Sequence, residues 1–358
     1  MAHEVETMAY AGETPWHGLG FNVADCLSPE EILKAAQLDW SIIKTPMHAV
    51  NPELGIDLVS AKHSMLVRDN GPNPITTVDG NELPRFMDLG VCGPDYTPFQ
   101  NAEVFDFFTK FVDAGQMKME TAGSLRGGQN VWALAKIEYN FGLPGDDEVK
   151  GYLLLSNPHV WGKAATAMVT PIRVVCNNTL TWALKQGSDQ SFRMAHHNNF
   201  EHYVDDAEEA LGLATERMDT FKEAAEFLST KRLHTDKMHE YLIRVFDPKT
   251  VTELEADRLK LDADNDDSAA MRIFQDALAN TELSRNAILA EEAIMTSPGA
   301  DMDSARGTFW GGFNGVTYVV DHVIGRERDT ALEQAWFGNR AALKRRALDT
   351  ALEMANAA

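Results

Sequence analysis

The chain changes character near residue 204, and that change limits the folds open to it more than any motif does. Before that point, β-branched and aromatic runs alternate with Gly, Pro, Asn and Asp clusters, the pattern of strands and tight turns with a few helices between them. After it, Ala, Glu, Leu, Met and Lys recur at helical spacing over 206–232, 235–246, 250–262 and 268–295, then over 304–324 and 330–356. Leu211, Ala214, Met218, Phe221, Ala225 and Leu228 fall on one stripe, a face for packing on a neighbouring helix. The expected class is α+β: a mixed sheet-and-helix body over 1–203, then a mainly helical region over 204–358. At 358 residues and 44% hydrophobic content, the chain can bury a sizeable core.

Local signals fill in the first half. Ser28-Pro29-Glu30-Glu31 has the cap, the proline and the third-position glutamate of a helix start. Residues 40–50 and 63–69 read as strands, 70–74 as a turn, and 74–89 as a strand pair turning at Asp79-Gly80-Asn81. Phe105, Phe108, Phe111 and Val112 form the core stripe of a helix over 101–114. Residues 120–130 are glycine-rich and lead into a buried strand at 131–137. Asp146-Asp147-Glu148 reads as a surface loop, 152–156 and 166–176 as strands, and Asn177-Asn178-Thr179 as the cap of a helix over 180–185.

The net charge is −22, which argues against a surface that coats nucleic acid or anionic lipid everywhere. The acid is uneven. Residues 251–300 carry eleven acidic and four basic side chains, whereas 151–200 carry one acidic residue against Lys163, Arg173, Lys185 and Arg193. Arg326, Arg328, Arg340, Lys344, Arg345 and Arg346 form a second basic place. Cys26, Cys92 and Cys176 have neither the number nor the spacing of a disulfide framework or zinc knuckle, so reduced thiols and a cytoplasmic setting are expected. No signal peptide, membrane span, metal site or cofactor is expected.

Catalytic patterns are weak. The Gly127-Gly128 loop lacks the Lys-Ser/Thr of a P-loop and precedes a strand, so a tight hairpin turn is favoured; were it to hold a phosphate, Arg126 would be the contacting side chain. The acidic run 262–267 fails the spacing of a calcium loop. Asp321-His322 fits either an acid/base dyad or a buried, satisfied pair. Cys176 fits either an activated thiol or a buried one. The richest binding candidate is 157–193, where Trp161 offers a stacking plane, Lys163, Arg173, Lys185 and Arg193 offer phosphate partners, and Asn177 and Asn178 offer amides.

Motifs along much of the chain resemble one family. They are Thr14-Pro15-Trp16-His17-Gly18-Leu19-Gly20, Gln100-Asn101, Glu120-Thr121-Ala122-Gly123-Ser124-Leu125-Arg126-Gly127-Gly128 with Val131-Trp132-Ala133, Thr170-Pro171-Ile172-Arg173-Val174-Val175-Cys176-Asn177-Asn178-Thr179-Leu180, Asn314-Gly315-Val316-Thr317, Asp321-His322 and Trp336-Phe337-Gly338. The chain resembles the phage- and plasmid-related proteins that carry the uncharacterised domain 932. One departure stands out: Asn157-Pro158-His159-Val160-Trp161-Gly162 occupies the place of a polar turn, and any acidic residue used there by the family is missing. The resemblance implies mobile-element cargo associated with DNA processing, with a distant likeness to single-strand annealing proteins. Those are α+β, form rings and need no catalytic residue.

The expected function is therefore a non-enzymatic DNA-metabolism protein that binds single-stranded DNA as a homo-oligomer. Its expected contacts are Trp161, Lys163, Arg173, Asn177, Asn178, Lys185, Arg193 and Arg126. One alternative is a metal-independent enzyme acting on a nucleotide or nucleic acid. Another is an acidic phage protein that binds and inhibits a host protein.

Overall fold

The computed structural model describes residues 5–12, 20–23, 28–173, 175, 178–179, 192–196, 207–262, 267–324 and 338–357. The turn-punctuated half folds into two sheets. The larger is built on an antiparallel meander of β6 (Met117–Leu125), β7 (Asn130–Leu143), β8 (Asp147–Pro158) and β9 (Ala165–Arg173). β1 (Val5–Ala11) pairs antiparallel with β6, and β2 (Phe21–Val23) pairs parallel with β1. β10 (Asn178–Thr179) and β11 (Phe192–Met194) both pair with β9, at opposite ends of it.

Alternation along these strands separates two cores. Val131, Ala133, Ala135, Leu153 and Leu155 enter the main cluster, while Trp132, Leu134, Tyr152 and Leu154 point the other way into a smaller one. The smaller sheet runs β3 (Ser41–Asn51), β4 (Ile56–Asp69), β5 (Phe86–Cys92), all antiparallel. The 74–89 pair shrinks to one bridge, Thr76 to Glu82, before β5.

Helix α1 (Pro29–Ala35) has the full capping box: Ser28 Oγ accepts from Glu31 N–H at 3.2 Å and the Glu31 carboxylate accepts from Ser28 N–H at 2.8 Å. The single helix expected over 101–114 is two, α2 (Asn101–Asp106) and α3 (Thr109–Asp113). Phe105, Phe107, Phe108 and Phe111 are all buried. An unbroken helix would swing Phe107 off the stripe, and the break lets it into the core.

The second half is helical: α4 (Ala207–Thr230), α5 (Thr235–Phe246), α6 (Pro248–Asp262), α7 (Asp267–Ala279), α8 (Arg285–Thr296), α9 (Phe309–Tyr318), a π-helical turn (Val319–Val323) and α10 (Asn339–Ala357). The run expected over 268–295 breaks at 280–284, where Ser284 caps α8 by accepting from Ala287 N–H at 3.4 Å. α9 is buried from Phe309 to Thr317, as a helix apolar on all sides must be. Gly315 lets it approach α8, since a Cβ there would meet Ile294 backbone N at 2.7 Å.

The main apolar cluster is continuous from the large sheet into the helices, with Phe141 against Phe221 and Phe221 against Trp310 at ring separations of 6.2 and 6.1 Å. Asp147 corrects the surface-loop expectation. It starts β8, is fully buried, and accepts from Ser304 Oγ at 2.6 Å and from Trp310 Nε1 at 2.9 Å. The sequence around it is loop-like, but its partners lie over 150 residues away.

Asn178-Thr179, expected as a helix cap, forms β10 with Ile172 and Arg173 as partners. The helix expected over 180–185 lies outside the described residues.

Candidate nucleic-acid interface

The β6–β7 and β8–β9 turns lie at one end of the large sheet, because Asn130 at the start of β7 pairs with Pro158 at the end of β8. His159 N–H donates to Gln129 carbonyl at 2.8 Å and ties the two turns together. Arg126, Gly127 and Gly128 take φ of 53°, 65° and 87°, three left-handed residues in a row. Gly128 also has no room for a side chain: a Cβ would meet Arg68 Nη1 at 2.7 Å and the Trp40 ring at 3.1 Å. The glycine-rich segment is thus the hairpin turn that the residue pattern favours, seated on a buried polar cluster.

That cluster joins the two sheets. Arg68 of β4 forms an ion pair with Glu6 of β1, and both are essentially without solvent contact. Arg68 Nε donates to Asn70 Oδ1 at 2.5 Å, and its guanidinium lies 4.2 Å from the Trp40 ring centroid. Burial lowers the Arg68 pKa and the Glu6 charge opposes the shift. Ser124 Oγ lies 3.3 Å from Glu6 Oε1 and 2.9 Å from Thr7 Oγ1. Trp40 is in turn edge-on to His159, with ring centroids 5.4 Å apart. Trp40 and Asn70 also line a polar cleft of about 300 Å³ with Gln37, Asp39, Ser41 and Gly71.

His159 is fully buried, with Nε2 3.0 Å from Asn101 Oδ1, while Asn101 Nδ2 donates to Leu38 carbonyl at 2.9 Å. The chain of donors assigns Nε2–H to a neutral imidazole. Burial, then the neighbouring His196 and Arg68, push its pKa down to about 3. The folded state therefore refuses a proton that the unfolded chain takes up below about pH 6.5. Stability falls as pH drops through that window, by about 2 kcal/mol between pH 8 and pH 5. Denaturant titrations of wild type and His159→Gln at both values are expected to differ in this slope; parallel slopes would show that His159 is not held neutral.

Above the cluster, the β8–β9 turn presents Trp161. Among the described residues, Trp40, Trp132 and Trp310 are buried, whereas Trp161 keeps 53% of its surface. Its ring rests against Gly93, where a Cβ would lie 3.0 Å from Cζ2, and edge-on to His63 at 6.0 Å. Lys163 in the same turn and Lys62 on β4 are exposed, and Arg126 is half-buried.

The expected contact residues divide between the two ends of β9. Arg193 sits opposite Thr166, at the end of β9 that follows the β8–β9 turn carrying Trp161 and Lys163. Arg173 sits opposite Val149 and Asn178, at the far end. The seven steps along the strand from 166 to 173 span roughly 23 Å. Asn177 and Lys185 lie outside the described residues, as does Cys176.

The second basic place is largely structural where described. Lys344 is buried and donates to Asp321 at 2.9 Å, and Arg346 donates to Val245 carbonyl at 3.0 Å. Asp321 therefore takes the buried-pair role, with Lys344 as its partner. The His322 ring lies 4.8 Å from that of Tyr318. Among the described residues, no group of three or more His, Cys, Asp or Glu is placed to hold a metal, and no helix is long and apolar enough to cross a membrane.

A family model described as "Domain of unknown function (DUF932)" matches residues 88–345. The chain belongs to the DUF932 family. No curated protein and no solved structure matches it. The match spans the β6–β7 turn, the β8–β9 turn and Asp321, while Glu6, Trp40 and Arg68 precede it. The buried cluster was not legible in the sequence. Glu6 sits in a short acidic N-terminal segment, and nothing local marks it as an interior residue.

Proposed function

We propose that this DUF932 chain is a non-enzymatic DNA-metabolism protein of phage or plasmid origin, working in the host cytoplasm, that binds single-stranded DNA as an oligomer. The observation that carries this is Trp161, an exposed indole held on one side by Gly93 and His63, with the exposed Lys163 two residues on in the same turn. A fixed aromatic plane flanked by cations is the element on which unpaired bases stack while their phosphates are neutralised. Duplex DNA keeps its bases stacked internally and gains nothing from such a plane. The overall charge of −22 confines binding to this locality and makes it strongly salt-dependent. The buried pairing of Asp321 with Lys344 takes one candidate for acid/base chemistry out of solvent and favours binding over the enzymatic alternative.

Fluorescence anisotropy of a labelled oligothymidylate tests this. Trp161→Ala is expected to weaken binding by about 5–150-fold, from the loss of one stacked base at about 1–3 kcal/mol. Lys163→Ala is expected to flatten the slope of log K against log salt by about 0.7. Absence of binding at about 50 mM salt, a condition that favours phosphate contacts, would overturn the reading.

A further inference from the structure

We infer that the outer face of the small sheet carries a single strand from Trp161 to a second stacking position, Phe86. This deepens the function proposed above and rests on it. Side chains alternate along β3, β4 and β5. Ile42, Leu66, Arg68 and Cys92 turn inward and are buried, whereas Ile43, Met65, Val67 and Val91 turn outward. Of these, Ile43 and Val91 are exposed, and Met65 and Val67 are half-buried. The result is a floor of apolar side chains open to solvent.

Each end of the sheet has an exposed ring. Phe86, 55% exposed, opens β5 opposite Asp69, on the outward side. Trp161 stands at the other end, against Gly93, the first residue past β5, and edge-on to His63, two residues before Met65. The steps along β4 from His63 to Asp69 span roughly 20 Å, room for about four nucleotides and the low end of single-strand site sizes. Among the described residues, the exposed phenylalanine and tryptophan rings are Phe21, Phe86 and Trp161, so two of the three bracket this one face.

Charge orients the occupant. The exposed Arg85 guanidinium lies 4.8 Å from the Phe86 ring centroid. Asp69 fixes it there, with Nε donating to Oδ1 at 3.0 Å and Nη2 to Oδ2 at 3.4 Å. Lys163 follows Trp161 in its turn. Between the two ends lies Asp88, opposite Val67, exposed and accepting from Gly90 N–H at 2.7 Å. This carboxylate repels phosphates from the middle of the floor, and the apolar groups around it offer them no donor. A strand laid here must turn its bases down and its phosphates outward, toward the cations at the ends. A planar ring in every unit, with an anion between rings, is the repeat that two aromatic ends and an apolar floor accept.

Anisotropy titrations of oligothymidylates about two to twelve nucleotides long test the path. Wild-type affinity is expected to rise in a step at the length that spans both rings. Phe86→Ala is expected to abolish the step and weaken the longer oligonucleotides at least about fivefold, with thermal unfolding unchanged because Phe86 is exposed. Val91→Glu, which adds a second carboxylate to the floor, is expected to weaken them similarly. Irradiating a bromouracil-substituted oligonucleotide on wild type needs no variant, and adducts mapped by mass spectrometry are expected in 86–91 as well as at Trp161. If Trp161→Ala weakens binding while Phe86→Ala does not, or if adducts are confined to the Trp161 turn, the path is overturned and the function proposed above stands. If wild type binds no oligonucleotide at low salt, both fall. A dimer in sedimentation velocity that Val91→Glu disperses would put a second copy on this face and overturn the inference.

Discussion

Arg68→Ala is expected to destabilise the fold by about 3–5 kcal/mol, measured as the loss of unfolding free energy in a denaturant titration. Arg68 and Glu6 are both removed from water, and taking away one partner strands the other charge in the interior. Ser124 Oγ, 3.3 Å from the Glu6 carboxylate, is neutral and cannot replace a guanidinium. The alanine also uncovers the Trp40 face and leaves Asn70 Oδ1 without its 2.5 Å donor. The control is Arg68→Met combined with Glu6→Gln. That pair keeps the volume and removes both charges, so it is expected to recover most of the loss. A single-variant cost below about 1 kcal/mol would mean that the pair contributes no more than a surface ion pair.

Lys344→Ala is expected to cost a similar amount, about 3–5 kcal/mol, for the same reason in the helical half of the chain. Lys344 and Asp321 are both buried, with Nζ to Oδ1 at 2.9 Å. Burial lowers the lysine pKa, and the Asp321 charge is what opposes that shift. The bond fastens the π-helical turn to α10. Asp321→Asn with Lys344→Met is expected to be far milder than either single change, because no lone charge remains. A double-mutant cycle measures the coupling, and a coupling near zero would return Asp321 to the list of groups available for chemistry.

Much of the secondary structure could be read from the chain. The Ser28 capping box, the β6–β7 hairpin turn and the helical second half each depend on residues within a few positions of one another, where sterics and local hydrogen bonds decide. The errors have one cause. Residues 101–114 and 268–295 carry continuous helical patterns, and only the need to bury Phe107 and to pack α7 and α8 separately breaks them. Asp147 sits between turn residues, yet a serine and a tryptophan far along the chain draw it inside.

The candidate interface was half legible. Trp161 and Lys163 stand out by composition, because tryptophan and lysine share a stretch poor in acid. That Arg173 lies at the far end of β9 from Arg193 depends on strand pairing, which composition does not record. β4 begins at Ile56, seven residues before the strand expected over 63–69, because pairing with β3 continues out to Asn51 and Ile56, which the local pattern does not record.

The sequence alone therefore determined the α+β class, the position of most helices and turns, and the locally basic stretch around Trp161. These follow from short-range propensity and pattern. The tertiary structure decided which charges are interior and which strands are uncovered. Glu6 needs Arg68, Asp147 needs Trp310 and Asp321 needs Lys344, and a charge can leave water only when a distant part of the chain brings its partner.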